Sequence, residues 1–153
     1  MSKFNFDRMS ALLTREKTAL AVAVGNFAQN EFRENFKRQS FNGAKWQEVK
    51  RRIPGTPAYR SAGKSGHTRA ILVGKGSGTL RRAVNVSLKK ATFGEILFVV
   101  PLPYAEIHNT GGVINNKRAK IIMPKRQFIG MTPRLEQGIR LRIKRYLDKA
   151  DKV

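Results

Sequence analysis

The sequence predicts an α+β domain with a long N-terminal helix, a small antiparallel sheet with a hairpin, a short middle helix and a C-terminal helix. Three observations carry this. From about Asp7 to Arg38 apolar residues recur at three-, four- and seven-residue spacings. Between Ala70 and Met123 the pattern changes to alternation and short apolar runs bounded by Gly and Pro. After Thr132 the helical period returns. The 153 residues suffice for one domain with a real core, spanning residues 1–153.

In the first helix, Met9, Leu13, Leu20, Val24 and Phe27 form one stripe, and Ala28, Phe32 and Phe36 continue it offset by one position. Gly25 marks the changeover, so the helix has either a wide apolar face or a kink. Its first half reads as an ordinary core helix. At about thirty residues it must span the whole domain or reach a neighbouring subunit. Residues 39–52 hold a Gly turn and the sole tryptophan, Trp46, which reads as a packing anchor. Residues 53–69, rich in Pro, Gly, Ser, Lys and Arg, read as a long mobile basic loop.

Ile71-Leu72-Val73 reads as a short strand. Ala83 to Leu88 alternates, with Val84, Val86 and Leu88 on one face of a second strand. Thr92 and Gly94 make a turn, and Ile96 to Val100 is an apolar strand that should pair antiparallel with its neighbour. One or two helical turns cover residues 103–109. Gly112 to Met123 reads as a hairpin around Asn115-Asn116. Thr132 can cap the last helix with Pro133 at its first position, and Leu135, Ile139, Ile143 and Leu147 form its stripe.

Charge is the outlying property: 31 Lys plus Arg against 10 Asp plus Glu, a net of +21. The basic residues are spread along the chain, so the charge belongs to the folded surface and its loops. A nucleic acid is the first partner to consider. With no cysteine, disulfides and thiolate metal sites are excluded, which suits a reducing compartment. Ala19 to Val24 is apolar but too short to span a bilayer, and no signal-peptide pattern precedes it. The chain reads as soluble, unprocessed and without a membrane partner.

Catalytic chemistry finds little support. Gly74 to Thr79 lacks the order of a phosphate-binding loop and reads as a flexible turn. A metal-dependent nuclease needs clustered carboxylates, and residues 41–125 offer only Glu48, Glu95 and Glu106. His108-Asn109 lacks the further His partners of an HNH-type site, and His67 has no acidic partner nearby. The chain is expected to be no enzyme, with no catalytic residue, cofactor or metal. Lys50-Arg51-Arg52 and Lys117-Arg118-Ala119-Lys120 could neutralise phosphates. No helix-turn-helix, zinc finger or aromatic RNA-binding strand accompanies them, so any such binding is sequence-independent.

The densest pattern lies in Pro103-Tyr104-Ala105-x-x-His108-Asn109-x-Gly111-Gly112 and Pro124-x-Arg126-x-Phe128-Ile129-Gly130. Upstream stand Phe41-Asn42-Gly43-x-x-Trp46, the basic run Lys50 to Arg52, Ile71-Leu72-Val73, and Gly78-Thr79-Leu80-Arg81-Arg82. In this order they resemble the phage virion morphogenesis family, the Mu-like tail-completion or neck proteins of tailed bacteriophages. The likeness covers most of the chain outside residues 53–69. The chain departs from the family pattern at Ser77 (often Thr), at Ala83 (commonly Ser) and in the extra loop Gly74 to Gly76.

The resemblance implies a structural virion protein at the head–tail junction. Its partners would be other phage neck and tail proteins, its own copies in a ring (six-fold expected), and the double-stranded DNA passing through. It implies a location at the neck or top of the tail, and host cytoplasm during assembly. Trp46, Gly78, Leu80, Tyr104, His108, Gly111, Gly112, Pro124, Arg126, Phe128 and Gly130 then take architectural or interface roles. Arg126 would tie its segment to carbonyls or to a partner. Lys50, Arg51, Arg52, Lys64, Arg69, Lys117, Arg118 and Lys120 are the candidates to face DNA. The alternative is a sequence-independent DNA- or RNA-binding protein acting outside the virion.

Overall fold

A computed structural model describes residues 6–74, 78–115 and 120–150. Helix α1, Phe6–Arg38, runs 33 residues, about 50 Å at 1.5 Å per residue. It buries Ala21, Val24, Ala28, Phe32 and Phe36 at three- and four-residue spacing. Gly25 lets the chain at Leu88 approach the helix surface: a Cβ there would lie 3.0 Å from both methyls of Leu88. The first half departs from the expected core helix. Leu12 and Leu13 are each 45% exposed, and from Ser10 onward the first buried residue is Ala21. Its contacts there include an ion pair of Glu16 with Lys149 and the Lys17 ammonium over the Phe93 ring.

The last helix, α5 (Pro133–Ala150), lies antiparallel along α1. Arg134 pairs with Glu31 at 3.2 Å and Lys149 with Glu16 at 3.5 Å, at opposite ends of the contact. Between them the Phe27 ring fills the space a side chain at residue 138 would need, so Gly138 sets the crossing. The Arg142 guanidinium caps the same ring, 3.6 Å from its centroid. Thr132 Oγ1 accepts the Leu135 N–H at 3.1 Å, the expected cap. Of the expected stripe, Leu135 is buried and Ile139 half-buried, while Ile143 and Leu147 are exposed.

Between these helices the described residues make three separate two-stranded antiparallel sheets. β1 (Ser40–Phe41) pairs with β2 (Ala44–Lys45), and β3 (Leu88–Thr92) with β4 (Glu95–Phe98). β5 (Gly112–Asn115) pairs with β6 (Lys120–Met123), with Gly112 opposite Met123. A 3-10 turn, Lys50–Arg52, follows β2. The short middle helix is α4, Ala105–Thr110.

Three expectations are corrected. Residues 53–69 are not a long loop: α2 covers Pro57–Thr68, bent at Gly63. Thr56 Oγ1 accepts the Tyr59 N–H and Pro57 starts the helix, so its Pro and Ser-type residues act as helix punctuation. Ala83 to Leu88 is not one strand. Helix α3 (Thr79–Asn85) buries Leu80 and Val84, one turn apart, and leaves Val86 63% exposed. Ile71-Leu72-Val73 forms a turn rather than a strand, closed by Val73 N–H to the Ala70 carbonyl at 3.3 Å.

The core gathers where α1 meets α3, α4, β4 and the start of α5. Phe32 meets Phe98 edge-on at 5.0 Å between ring centroids. Phe36 stands between Trp46 at 5.5 Å and Phe128 at 5.3 Å.

Candidate assembly site

The extended segment Pro124 to Gly130 is gripped from four sides. Its own residues supply few regular backbone bonds, so side chains from elsewhere satisfy it. Asn109 Oδ1, on α4, accepts the N–H groups of Phe128 at 2.9 Å and Ile129 at 3.0 Å. Asn35, buried on α1, donates Nδ2 to the Phe128 carbonyl at 3.1 Å. Trp46 donates Nε1–H to the Gln127 carbonyl at 2.7 Å. Arg126 reaches back, its Nε donating to the Gln47 carbonyl at 2.9 Å and its Nη2 to that of Glu48 at 3.4 Å. Its own N–H bonds the His108 carbonyl at 2.8 Å. The two dense sequence segments thus close into one clamp, with Phe128, 2% exposed, at its centre.

Gly111 is required by this geometry. It sits at φ 74°, and a Cβ would lie 2.9 Å from the Lys125 backbone nitrogen. His108 is half-buried beneath the clamp, its Nδ1 enclosed without a hydrogen-bond partner. Burial first, and the nearby Arg126 second, hold its pKa below the ordinary histidine value, so it stays neutral. Tyr104 stands edge-on to it at 6.0 Å and is partly exposed.

Among the described residues two apolar surfaces are left uncovered. On the β5–β6 hairpin, Val113, Ile114, Ile121 and Ile122 are all exposed, Ile122 to 76%. The second is a groove of about 260 Å³ between the first half of α1, the far half of α5 and the β3–β4 hairpin. Leu20, Phe93, Ile143 and Leu147 are among its walls. Isolated two-stranded hairpins are marginal in water, and exposed aliphatics at this density mark contact surfaces.

The sequence profile of the phage virion morphogenesis family matches residues 3–148. The chain belongs to this family. Searches of curated proteins and of solved structures gave no significant match. A member of the phage virion morphogenesis family is a structural protein of the phage particle. Such a protein works together with other phage structural proteins. Among the described residues no group of three or more His, Cys, Asp or Glu could hold a metal ion. Among the same residues no helix is long and apolar enough to cross a membrane.

The basic candidates of this family member separate by environment. Lys50, Lys64 and Lys120 are exposed. Arg51 turns inward, giving Nε–H to the Gly66 carbonyl at 3.1 Å and Nη2 to those of Arg69 and Ala70 at 2.7 and 2.8 Å. Arg52 pairs with Glu48 at 3.5 Å and donates to Gln39 Oε1 at 3.3 Å. Arg69 is half-buried with its Nε enclosed and unpartnered. Lys117 and Arg118 lie outside the described residues.

The architectural candidates converge. Trp46, His108, Gly111, Arg126 and Phe128 meet in the clamp. Pro124 and Gly130 bracket its central segment, and Gly112 opens β5 beside Ile107. Gly78, in the left-handed region, precedes α3, and Leu80 sits in the core. Three amides were missed. Asn35 and Asn109 hold the clamp, and Gln39 Oε1 accepts the Ile71 N–H at 2.8 Å. Asn109 adjoins His108 within the dense motif, which was the available signal.

Proposed function

We propose that this chain is a tail-completion or neck component at the head–tail junction, assembling as a ring, six-fold by expectation, around the DNA channel. The observation that supports it most is the pairing of two separate uncovered apolar surfaces with a net charge of +21. Distinct patches on opposite elements suit a head-to-tail contact, and such contacts close into rings when the rotation closes. A ring of strongly basic subunits offers a lumen that attracts DNA without reading its bases. In this reading Lys50, Lys64, Arg69 and Lys120 line the lumen with Arg52, and Lys117 and Arg118, outside the described residues, are proposed to join them. Arg51 contributes only its field. The role is structural rather than catalytic.

Native mass measurement of the purified chain, alone and with duplex DNA, tests the ring. A defined oligomer supports it, and labelled antibody on whole particles tests its position at the junction. A strictly monomeric chain absent from particles refutes it and favours a DNA-binding role outside the virion. DNA affinity should fall steeply with salt, by a log–log slope of about 0.9 per phosphate neutralised. A slope near zero would mean that the basic surface meets acidic protein instead.

A further inference from the structure

A recessed cleft of about 280 Å³ opens between the Lys50–Arg52 turn, the Ile71–Val73 turn, α3 and α4. Arg51 and Arg126 both line it, with Tyr104 and His108 beside them, and among the described residues no carboxylate does. The Nε and Nη2 groups of each guanidinium are engaged by carbonyls, which leaves the Nη1 ends over from those bonds. Carbonyls satisfy N–H groups but do not neutralise charge. Glu48, the nearest acid, is turned onto Arg52 at 3.5 Å and onto the Val49 N–H at 2.9 Å. Arg126 is only 7% exposed. Two guanidiniums drawn partly out of water into one cleft, sharing with Arg52 the single partly exposed counter-charge of Glu48, are better satisfied when a second anion joins them. Burial, before any other cause, holds both guanidinium pKa values below the ordinary arginine value, with Glu48 opposing it in each.

The wall adds two observations. Val49, Leu72 and Leu80 make it apolar, so an anion entering would feel the guanidiniums with little screening. Leu72 is held at φ 60°, a left-handed conformation costly for a residue with a Cβ, and such strain gathers where a fold holds a ligand. Phosphates on a DNA duplex project from a convex rod and meet exposed cations. They do not reach a guanidinium this recessed. A carboxylate on its own side-chain tether does, and the planar arginine fork suits it.

We propose that this cleft takes a single carboxylate from an acidic, partly apolar peptide segment of another protein, with the apolar wall covering the residue next to it. The proposal needs a protein partner but no ring and no particular place in the particle.

Val73 is half-buried in the wall, so Val73→Glu places a carboxylate inside the cleft. Val99→Glu, at an exposed position outside it, adds the same charge to the same +21 chain as a control. The cleft variant should melt above the control. Melting below it overturns the proposal, because an apolar cleft without usable cations rejects a buried charge. The second arm uses two fluorescent probes on the full chain, a leucine-flanked glutamate peptide and a DNA duplex. The peptide should bind, and Val73→Glu and Arg51→Lys should each weaken it about tenfold while changing duplex affinity less than about twofold. Absence of peptide binding, or equal losses for peptide and duplex, overturns the assignment. Loss of ring assembly would leave both readouts standing.

Discussion

Replacing Asn109 tests whether the clamp holds the fold as described. Its Oδ1 is the acceptor for two consecutive N–H groups, at 2.9 and 3.0 Å, behind a Phe128 ring that is 2% exposed. Asn109→Ala removes the acceptor from both and supplies nothing in its place. A buried donor left unpaired costs about 1–3 kcal/mol. These sites are only part-buried, so the lower half of that range applies to each, giving about 2–4 kcal/mol together. That is a large share of the roughly 5–15 kcal/mol by which a domain is stable. It corresponds to a melting shift of roughly 5–15 °C at this size. Asn109→Asp keeps an oxygen at the same reach and adds a charge that a strongly basic chain welcomes, so it should stay within about 1 kcal/mol of the parent. Urea unfolding followed by the emission of the sole tryptophan measures both variants. Trp46 bonds Gln127, the residue before the two amides at issue, so it reports on this segment directly. An Asn109→Ala chain within about 1 kcal/mol of the parent would refute the argument. So would an Asn109→Asp chain as damaged as the alanine one.

Three further outcomes are expected. Gly111→Ala should cost about 2 kcal/mol or more, from the left-handed φ of 74° and the Lys125 nitrogen 2.9 Å from the new Cβ; an unchanged urea midpoint would contradict it. Ile122→Lys, at a 76% exposed position, should leave the urea midpoint within about 0.5 kcal/mol yet lower the oligomer mass seen by light scattering; an unchanged oligomer removes the hairpin from the interface. His108 has a folded-state pKa below its unfolded value near 6.5, so as pH falls the unfolded chain takes up its proton first. Its contribution is intact above that value and is lost as pH drops through it. His108→Gln should therefore reduce the stability lost between about pH 7.5 and about pH 5.5, as read by urea midpoints, and a parent that gains stability on acidification would refute the assignment.

The parts of the fold legible in the sequence are those encoded over one or two turns of chain. Thr132-Pro133 gives the start of α5, and the spacing of Val24, Ala28, Phe32 and Phe36 gives the buried face of α1. The hairpin at Gly112 to Met123 follows from its flanking aliphatics, but not its turn: Asn115, expected at the turn, lies in β5 opposite Lys120. Two segments misled for a shared reason. Val84, Val86 and Leu88 alternate, but Leu80 and Val84 are also one helical turn apart, and tertiary burial chose that period. Pro57, Gly63 and Gly66 look like loop composition, yet they are respectively the first residue, the bend and a buried contact of α2. In the site, Arg126 and Trp46 were legible by type, but their partners are backbone carbonyls about eighty residues away, and every residue carries one. Arg51 was hidden in the opposite way. A basic run reads as a solvated face, and nothing local shows that one of its three members turns inward.

The clamp and the exposed hairpin are mechanically one device. Gly111 leads straight into β5, and Met123 at the end of β6 leads straight into Pro124. Both feet of the hairpin are therefore anchored, one through the α4 turn that ends with the Gly111 N–H on the Ile107 carbonyl at 2.9 Å, the other through Arg126. A two-stranded ribbon free at its feet would lose much orientational freedom on docking. One fixed at both feet has lost it already on folding, so its four aliphatic side chains can meet a partner at a smaller entropic cost. On the proposed assembly, this gives the long-range bonds that converge on the segment a use beyond holding the fold. In the proposed ring, the polar clamp at the base of the hairpin sets the direction of the contact, and the aliphatic residues beyond it supply the adhesion.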